Sequence, residues 1–82
     1  MARILVIEDD DSTAREIAAE LSAHGHDVLI AADGAAGLER ATREAFDAIT
    51  LDRMLPGLEG LEVVASLRQR RVDVPVLMIS AL

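Results

Sequence analysis

Short apolar runs alternate with longer amphipathic stretches along the whole of this chain. The runs are rich in Ile, Leu and Val and cover residues 4–7, 28–31, 48–51 and 74–79. Runs of this length that end in polar or turn residues are typical of strands buried on both faces of a sheet. Strands that alternate with helices indicate an α/β fold with a parallel sheet, and right-handed crossovers then place the helices on both of its faces.

Each stretch between the runs carries apolar or small residues at helical spacing. The predicted inward stripes are Ala14, Ile17, Ala18 and Leu21 in the first helix, Leu38, Ala41, Thr42 and Ala45 in the second, and Val63, Val64 and Leu67 in the third. Such a stripe is expected of a helix that packs on a sheet. The sequence therefore predicts the order βαβαβαβ within one domain.

The helix ends also carry recognisable signals. Thr13 and Glu16 have the spacing of a capping box, and Asp11 or Ser12 is an equally good N-cap for the first helix. Gly25 is placed to end that helix, and Asp33 is a suitable N-cap for the second.

Composition excludes several classes of function. A formal net charge of -7 repels phosphate backbones, so direct nucleic-acid binding by this segment is not expected. The absence of cysteine excludes disulfides and thiolate metal sites. No apolar run approaches the roughly 20 residues that cross a bilayer, and the N-terminus does not resemble a signal peptide. We therefore expect a cytoplasmic protein without membrane contact.

Polar side chains follow three of the four predicted strands. Glu8, Asp9 and Asp10 follow the first strand, Asp52 the third and Ser80 the fourth. Ligands of open α/β sheets bind at the carboxyl ends of the strands. If the first and third strands are neighbours, these carboxylates meet, and at about 4 Å two of them repel by a few kcal/mol. A cation or a shifted pKa must relieve that repulsion, and Mg²⁺ suits an all-oxygen set of ligands.

A simpler explanation competes for some of these acids. Asp10 and Asp11 stand where helix N-caps and first turns favour negative charge. That explanation does not suit Asp52, because the residues after it, 53–57, contain Pro-Gly and are predicted to form a loop.

Three segments together resemble one family. Residues 4–10 (ILVIEDD), residues 51–57 (LDRMLPG) with Gly60, and residues 78–81 (MISA) are similar to the signatures of response-regulator receiver domains in bacterial two-component systems. The Glu-Asp pair and the Met-Leu-Pro-Gly loop most resemble regulators whose output is a winged-helix DNA-binding domain. The resemblance covers residues 1–82 and implies a flavodoxin-like, three-layer α/β fold with four strands in the order 2-1-3-4 and three helices.

The resemblance also implies roles for individual residues. Asp52 would be the phosphoacceptor that takes a phosphoryl group from a sensor histidine kinase, and Ser80 would be the switch hydroxyl that binds it. Asp9 directly, Glu8 through water, Asp52 and the backbone carbonyl of Met54 would hold Mg²⁺. A protein of this kind catalyses its own phosphotransfer and dephosphorylation and is not a turnover enzyme.

The resemblance further implies that residues 1–82 are an incomplete receiver domain. The family has a final helix–strand–helix whose strand carries a lysine, whereas all eight basic residues here are arginine. We therefore expect stable phosphorylation and output to be impaired in this segment. A DNA-binding output domain is expected in a longer protein. Arg53, next to Asp52, is only a weak substitute for the positive charge of the lysine. An apolar fourth strand at a sheet edge favours a homodimer or a swapped oligomer, and a proteolytic or expressed fragment is the alternative origin.

Some features of the sequence suggest other functions. A phosphohydrolase that resembles the haloacid-dehalogenase superfamily needs a second Asp two residues after the nucleophile, and Met54 stands there. A receiver-like interaction module that never accepts phosphate remains the alternative. His24 and His26 lack a third metal ligand nearby, and the arginines of residues 68–71 are either a docking patch or a solvated helix end.

Overall fold

The structure, a computed structural model, describes residues 1–52 and 60–79. Within these residues the chain forms four strands and three helices in the predicted order, βαβαβαβ. The strands are β1 (Arg3–Ile7), β2 (Asp27–Ala31), β3 (Ala48–Asp52) and β4 (Val76–Ile79). The helices are α1 (Asp11–Ala23), α2 (Gly34–Arg43) and α3 (Gly60–Gln69). The predicted fold class is confirmed.

The strands form a single parallel sheet in the order β2-β1-β3-β4, which confirms the expected order. β1 lies between β2 and β3, with Ile7 opposite Leu51. The sequence predicted that the fourth strand begins at residue 74, but in the structure it begins at Val76. Pro75 has no N–H to donate, and its carbonyl accepts a hydrogen bond from the Ile49 N–H at 2.9 Å as the chain enters the sheet.

The main core lies between the sheet and the pair α2 and α3. Its largest members are fully buried, and they are Leu5, Ile7, Ile49, Leu51, Val63 and Leu67. On β1 and β3 these are alternate residues, because successive side chains of a strand point to opposite faces. Ile4 and Val6 are also buried, so β1 is covered on both faces as its sequence predicted. Each large side chain buried here stabilises the fold by about 1.5–3 kcal/mol.

The inner face of α2 differs from the predicted stripe. Thr42 is exposed, and Ala45 is exposed and lies beyond the end of the helix. The buried residues of α2 are Gly34, Gly37 and Ala41. A Cβ placed on Gly37 would lie 2.7 Å from Cγ1 and 3.0 Å from Cγ2 of Ile7. The helix is held close to β1 by small residues, which hydrophobicity alone does not reveal.

The caps follow the sequence only in part. The N-cap of α1 is Asp10, whose side chain accepts a hydrogen bond from the Thr13 N–H at 2.9 Å. The predicted capping box and the alternative caps at Asp11 and Ser12 are therefore wrong, because the helix begins at Asp11 itself. Asp33 is the N-cap of α2, as expected, and accepts from the Ala36 N–H at 2.8 Å.

Arg3 connects the amino-terminal ends of β1 and β3 to the end of α2. Its guanidinium lies 4.9 Å from the centre of the Phe46 ring and pairs with the Glu44 carboxylate at 2.5 Å. Nη1 donates to the Ala45 carbonyl at 3.2 Å. The backbone N–H of Arg3 donates to Asp47 Oδ2 at 2.8 Å, and the Asp47 N–H donates to the Arg3 carbonyl at 2.7 Å. This Arg3 cluster fixes the start of β3 beside β1.

β4 is the last strand of the sheet within the described residues, where it pairs only with β3. Its Leu77 side chain is 65% exposed, although the sequence of the strand is entirely apolar. Among the helices of residues 1–52 and 60–79, none is long and apolar enough to cross a membrane.

Candidate functional site

The candidate site lies where β1 and β3 end side by side. Ile7 and Leu51 are register partners, so Glu8, which follows β1, is next to Asp52, the last residue of β3. The Glu8 N–H donates to the Ala31 carbonyl at 3.0 Å, which holds the backbone of Glu8 in line with the sheet. The parallel neighbours therefore deliver acids from two distant parts of the sequence to one edge.

Three carboxyl groups converge at this edge. Glu8, Asp9 and Asp52 each place one carboxylate oxygen within 4.8 Å of the others. Glu8 is only 8% exposed, Asp52 is half-buried and Asp9 is exposed, so the group opens to solvent on the Asp9 side. Asp10 has a different task, because its side chain caps α1 and also accepts a hydrogen bond from the Thr13 hydroxyl. The simpler explanation for Asp10 is thus confirmed.

The proximity of these acids changes the protonation of Glu8. Its pKa is raised from 4.5 to about 7, first because burial disfavours the charged form. A hydrogen bond with the Asp52 side chain raises this pKa further, followed by the negative charges of Asp52, Asp9 and Asp10. Without a cation, a proton on Glu8 removes part of the electrostatic repulsion among the three carboxyl groups.

The donor set fits a hard divalent cation. All three groups offer carboxylate oxygens, which Mg²⁺ and Ca²⁺ prefer, and no imidazole or thiolate belongs to this cluster among the described residues. A cation there would take over the role of the proton, because it neutralises the same repulsion. The spacing of the oxygens is compatible with their binding one ion together.

Thr50 belongs to the same region and was not anticipated from the sequence. It precedes Asp52 by two residues on β3, so both side chains lie on one face of the sheet. Its hydroxyl oxygen is buried and has no hydrogen-bond partner among the described residues. Strand alternation is the sequence signal that could have indicated Thr50, because it places this polar residue next to Asp52 on a face of the sheet that is otherwise apolar.

Met54, Ser80 and Arg53 lie outside the described residues, so their proposed parts in the site stay predictions.

The weaker candidates elsewhere have local structural partners. His26 Nδ1 accepts a hydrogen bond from the Ala2 N–H at 3.1 Å, and His24 Nδ1 lies 2.9 Å from the Glu20 carbonyl. Neither histidine belongs to a group of three metal-binding side chains in the part of the chain that the structure describes. Arg68 donates to the carbonyls of Val72 and Val74 at 2.6 and 2.9 Å, so it supports the loop before β4.

Comparison with known proteins identifies the same segment. The family model described as response regulator receiver domain matches residues 4–82. The transcriptional activator protein PfeR of Pseudomonas aeruginosa is 45% identical over 80 residues, which are 98% of this chain and 26% of PfeR. The chain thus spans about a quarter of that curated relative. Its relatives include transcriptional regulators, in agreement with the expected subfamily.

Solved structures agree with the family match. The receiver domain of the Francisella response regulator 1452 has a TM-score of 0.95 and 32% identity, covering 100% of this chain and 68% of that one. The receiver domain of the Pseudomonas aeruginosa sensor histidine kinase PA1611, which has a magnesium ion in its active site cleft, has a TM-score of 0.86 and 33% identity. Here the match covers 94% of this chain and 65% of that one.

Proposed function

The chain belongs to the family of response-regulator receiver domains, and from this premise we propose that it accepts a phosphoryl group on Asp52, with Mg²⁺ held by Glu8, Asp9 and Asp52. The donor is the phosphohistidine of a sensor histidine kinase. The observation that carries the proposal is the convergence of the three carboxylates, with oxygens within 4.8 Å of one another, at the carboxyl ends of two parallel strands.

The chemistry uses each carboxylate differently. An oxygen of Asp52 attacks phosphorus, and a new P–O bond forms as the bond from phosphorus to the donor imidazole nitrogen breaks and its electron pair leaves with the imidazole. Glu8 and Asp9 would hold the cation together with Asp52. When bound, Mg²⁺ neutralises negative charge on the oxygens of the transferring group. Asp52 is half-buried, so the donor reaches it from solvent.

Other parts of the proposal come from the family resemblance. The Met54 carbonyl completes the Mg²⁺ ligands, and Ser80 binds the phosphoryl group once it is on Asp52. A final helix–strand–helix with a lysine, a DNA-binding output domain and a cytoplasmic location also stay predictions.

Intact-mass measurement tests the proposal. The chain is incubated with Mg²⁺ and acetyl phosphate, and we expect a mass increase of one phosphoryl group that disappears when EDTA replaces Mg²⁺. Asp52→Asn should abolish the adduct, whereas Asp73→Asn, which removes an exposed acid outside the cluster, should not. An adduct that persists in Asp52→Asn would refute the assignment of the phosphoacceptor.

A second candidate function is an interaction module that works without phosphorylation. The observation in its favour is the apolar strand β4, which pairs only with β3 within the described residues and whose Leu77 is 65% exposed. Exposed apolar edge strands pair readily with other chains, and we propose that two copies associate through β4. Sedimentation should then show a dimer that Leu77→Lys weakens, and a monomer at all concentrations would refute this candidate.

A further inference from the structure

The outer edge of β2 lies on the opposite side of the sheet from β4. Within the described residues β2 pairs only with β1. The Asp27 N–H and the Ala31 carbonyl both hydrogen-bond to residues that flank β1, at 2.9 and 3.0 Å. Since neighbouring residues of a strand direct their backbone groups to opposite sides, the N–H and C=O groups of Val28 and Ile30 point away from β1. The edge therefore offers these groups to a further strand.

The side chains of β2 divide between the two faces of the sheet. Leu29 and Ala31 pack in the main core beneath α2 and α3, so Asp27 lies on that face as well, with its side chain 64% exposed. Val28 and Ile30 lie on the other face, where Ile30 is 43% exposed. A strand that paired with this edge would cover apolar surface in addition to backbone groups.

A groove lies between the end of β2 and α2. Its volume is about 440 Å³, and its lining includes Ala31 and Ala32 after the strand and Arg40 and Arg43 on the helix. Each arginine contacts one glutamate four residues away, and both arginine side chains stay at least half exposed. A guanidinium group has five N–H donors, so these arginines can bind a second carboxylate that enters the groove from outside.

We propose that two copies of this chain associate by antiparallel pairing of their β2 edges about a two-fold axis at Leu29. In this register Val28 of each copy lies opposite Ile30 of the other, so that outward N–H groups meet outward carbonyls. The exposed Ile30 side chain is then covered by Val28 of the other copy. The contact uses the same residues on both copies, and an antiparallel pair added to a parallel sheet is common.

The same register brings unlike charges together, and this selects a second copy as the occupant. Asp27 of each copy lies opposite Ala31 of the other, on the face where the groove of that other copy carries Arg40 and Arg43. The symmetric contact forms this charge pairing twice. Two chains that each have a net charge of -7 repel one another, so a contact between them needs such a local match. The inference does not depend on phosphorylation or on β4.

Sedimentation velocity and amide hydrogen exchange measured by NMR test the proposal. We expect a concentration-dependent dimer in the wild-type protein and also in Leu77→Lys, in which association through β4 is weakened. The amides of Val28 and Ile30 should be protected from exchange in the dimer and should lose that protection on dilution. The amide of Leu29 points to β1 and should stay protected at every concentration.

Charge reversal tests the pairing across the contact. Asp27→Arg and Arg43→Glu should each weaken dimerisation by roughly two- to thirtyfold, the combined effect of two exposed ion pairs. The double variant restores the pairing with its direction reversed and should recover most of the affinity. Asp73→Arg is the matched control, since it makes the same change of charge at an exposed residue outside β2 and should leave the dimer unweakened.

Three results would overturn the inference. The first is a monomer at every concentration, or exchange at Val28 and Ile30 that does not depend on concentration. The second is a dimer that disappears in Leu77→Lys, because it would be held by β4. The third is a double charge reversal that dimerises no better than the single variants, which would exclude the charge pairing. Circular dichroism checks that each variant is folded, and the exchange measurement on the wild-type protein decides the matter where a variant is not.

Discussion

The raised pKa of Glu8 predicts that the metal-free protein becomes less stable as the pH rises toward neutrality. In the unfolded chain Glu8 loses its proton near pH 4.5, whereas in the folded protein it keeps the proton until about pH 7. Between these values the folded state binds more protons than the unfolded state, so the free energy of unfolding decreases with increasing pH. The contribution is fully present below pH 4.5 and is lost as the pH passes through 7.

The magnitude follows from the two pKa values. Each pH unit between them corresponds to about 1.4 kcal/mol. The difference between 4.5 and about 7 therefore corresponds to a loss of about 3 kcal/mol across the whole window. This is a large part of the stability of a small domain, which is typically about 5–15 kcal/mol.

Two other carboxyl groups act in the opposite sense, since hydrogen bonds from Thr13 and Arg40 lower the pKa of Asp10 and Glu44 respectively. Their stabilisation is lost in acid as the pH falls through their lowered pKa values.

Urea unfolding followed by circular dichroism tests this prediction in EDTA from about pH 5 to 8. Glu8→Gln cannot ionise and should flatten the pH dependence, whereas Glu16→Gln removes an exposed carboxylate and should leave it unchanged. Saturating Mg²⁺ should restore stability near pH 7, because a cation that binds only the folded state at 100 times its dissociation constant adds about 2.7 kcal/mol. The prediction is refuted if the free energy of unfolding of the metal-free protein rises from about pH 5 to 7. It is also refuted if the pH dependence of Glu8→Gln is parallel to that of the wild-type protein.

Three further substitutions test the fold around the site by urea unfolding. Gly37→Ala should destabilise the protein by about 1–3 kcal/mol, since the new methyl group overlaps the buried Ile7 side chain; no loss would mean that α2 can move outward freely. Asp33→Ala should cost about 1 kcal/mol through the lost N-cap of α2, and Asp33→Asn should recover most of it. Arg3→Lys should destabilise the protein although the charge is kept, because lysine cannot contact Glu44, the Ala45 carbonyl and the Phe46 ring at once; equal stability would refute that explanation.

Much of the fold could be predicted because it depends on patterns that are local in sequence. The strands were visible as buried apolar runs, and their order along the chain gave a parallel sheet. The exact contact surface of α2 was not visible, because it depends on how closely Gly37 approaches Ile7, which is a property of three-dimensional packing. Asp10 was recognised as a suitable N-cap position, but Thr13, Asp11 and Ser12 were also predicted as caps of α1, because each of these neighbouring polar side chains can cap a helix.

The acid site was predictable in location but not in detail. Strand ends and the family resemblance indicated Glu8, Asp9 and Asp52. The sequence did not show that Glu8 is buried while Asp9 is exposed, because that depends on how the chain turns after β1. Thr50 was missed since a threonine within a strand is ordinary, and only its buried hydroxyl, which lacks a hydrogen-bond partner among the described residues, distinguishes it.

The Arg3 cluster limits the insertions and deletions that β3 can tolerate. Paired hydrogen bonds between Arg3 and Asp47 fix where β3 begins, and Asp52 is reached after four intervening residues. Deleting or inserting a single residue between these points would exchange the two faces of the strand. An insertion would place Leu51 at the position of Asp52, among the carboxylates, and a deletion would place Asp52 at the position of Leu51, in the apolar core. Substitutions that keep the alternation of apolar and polar residues between positions 47 and 52 should therefore disturb the acid cluster less than any single-residue insertion or deletion.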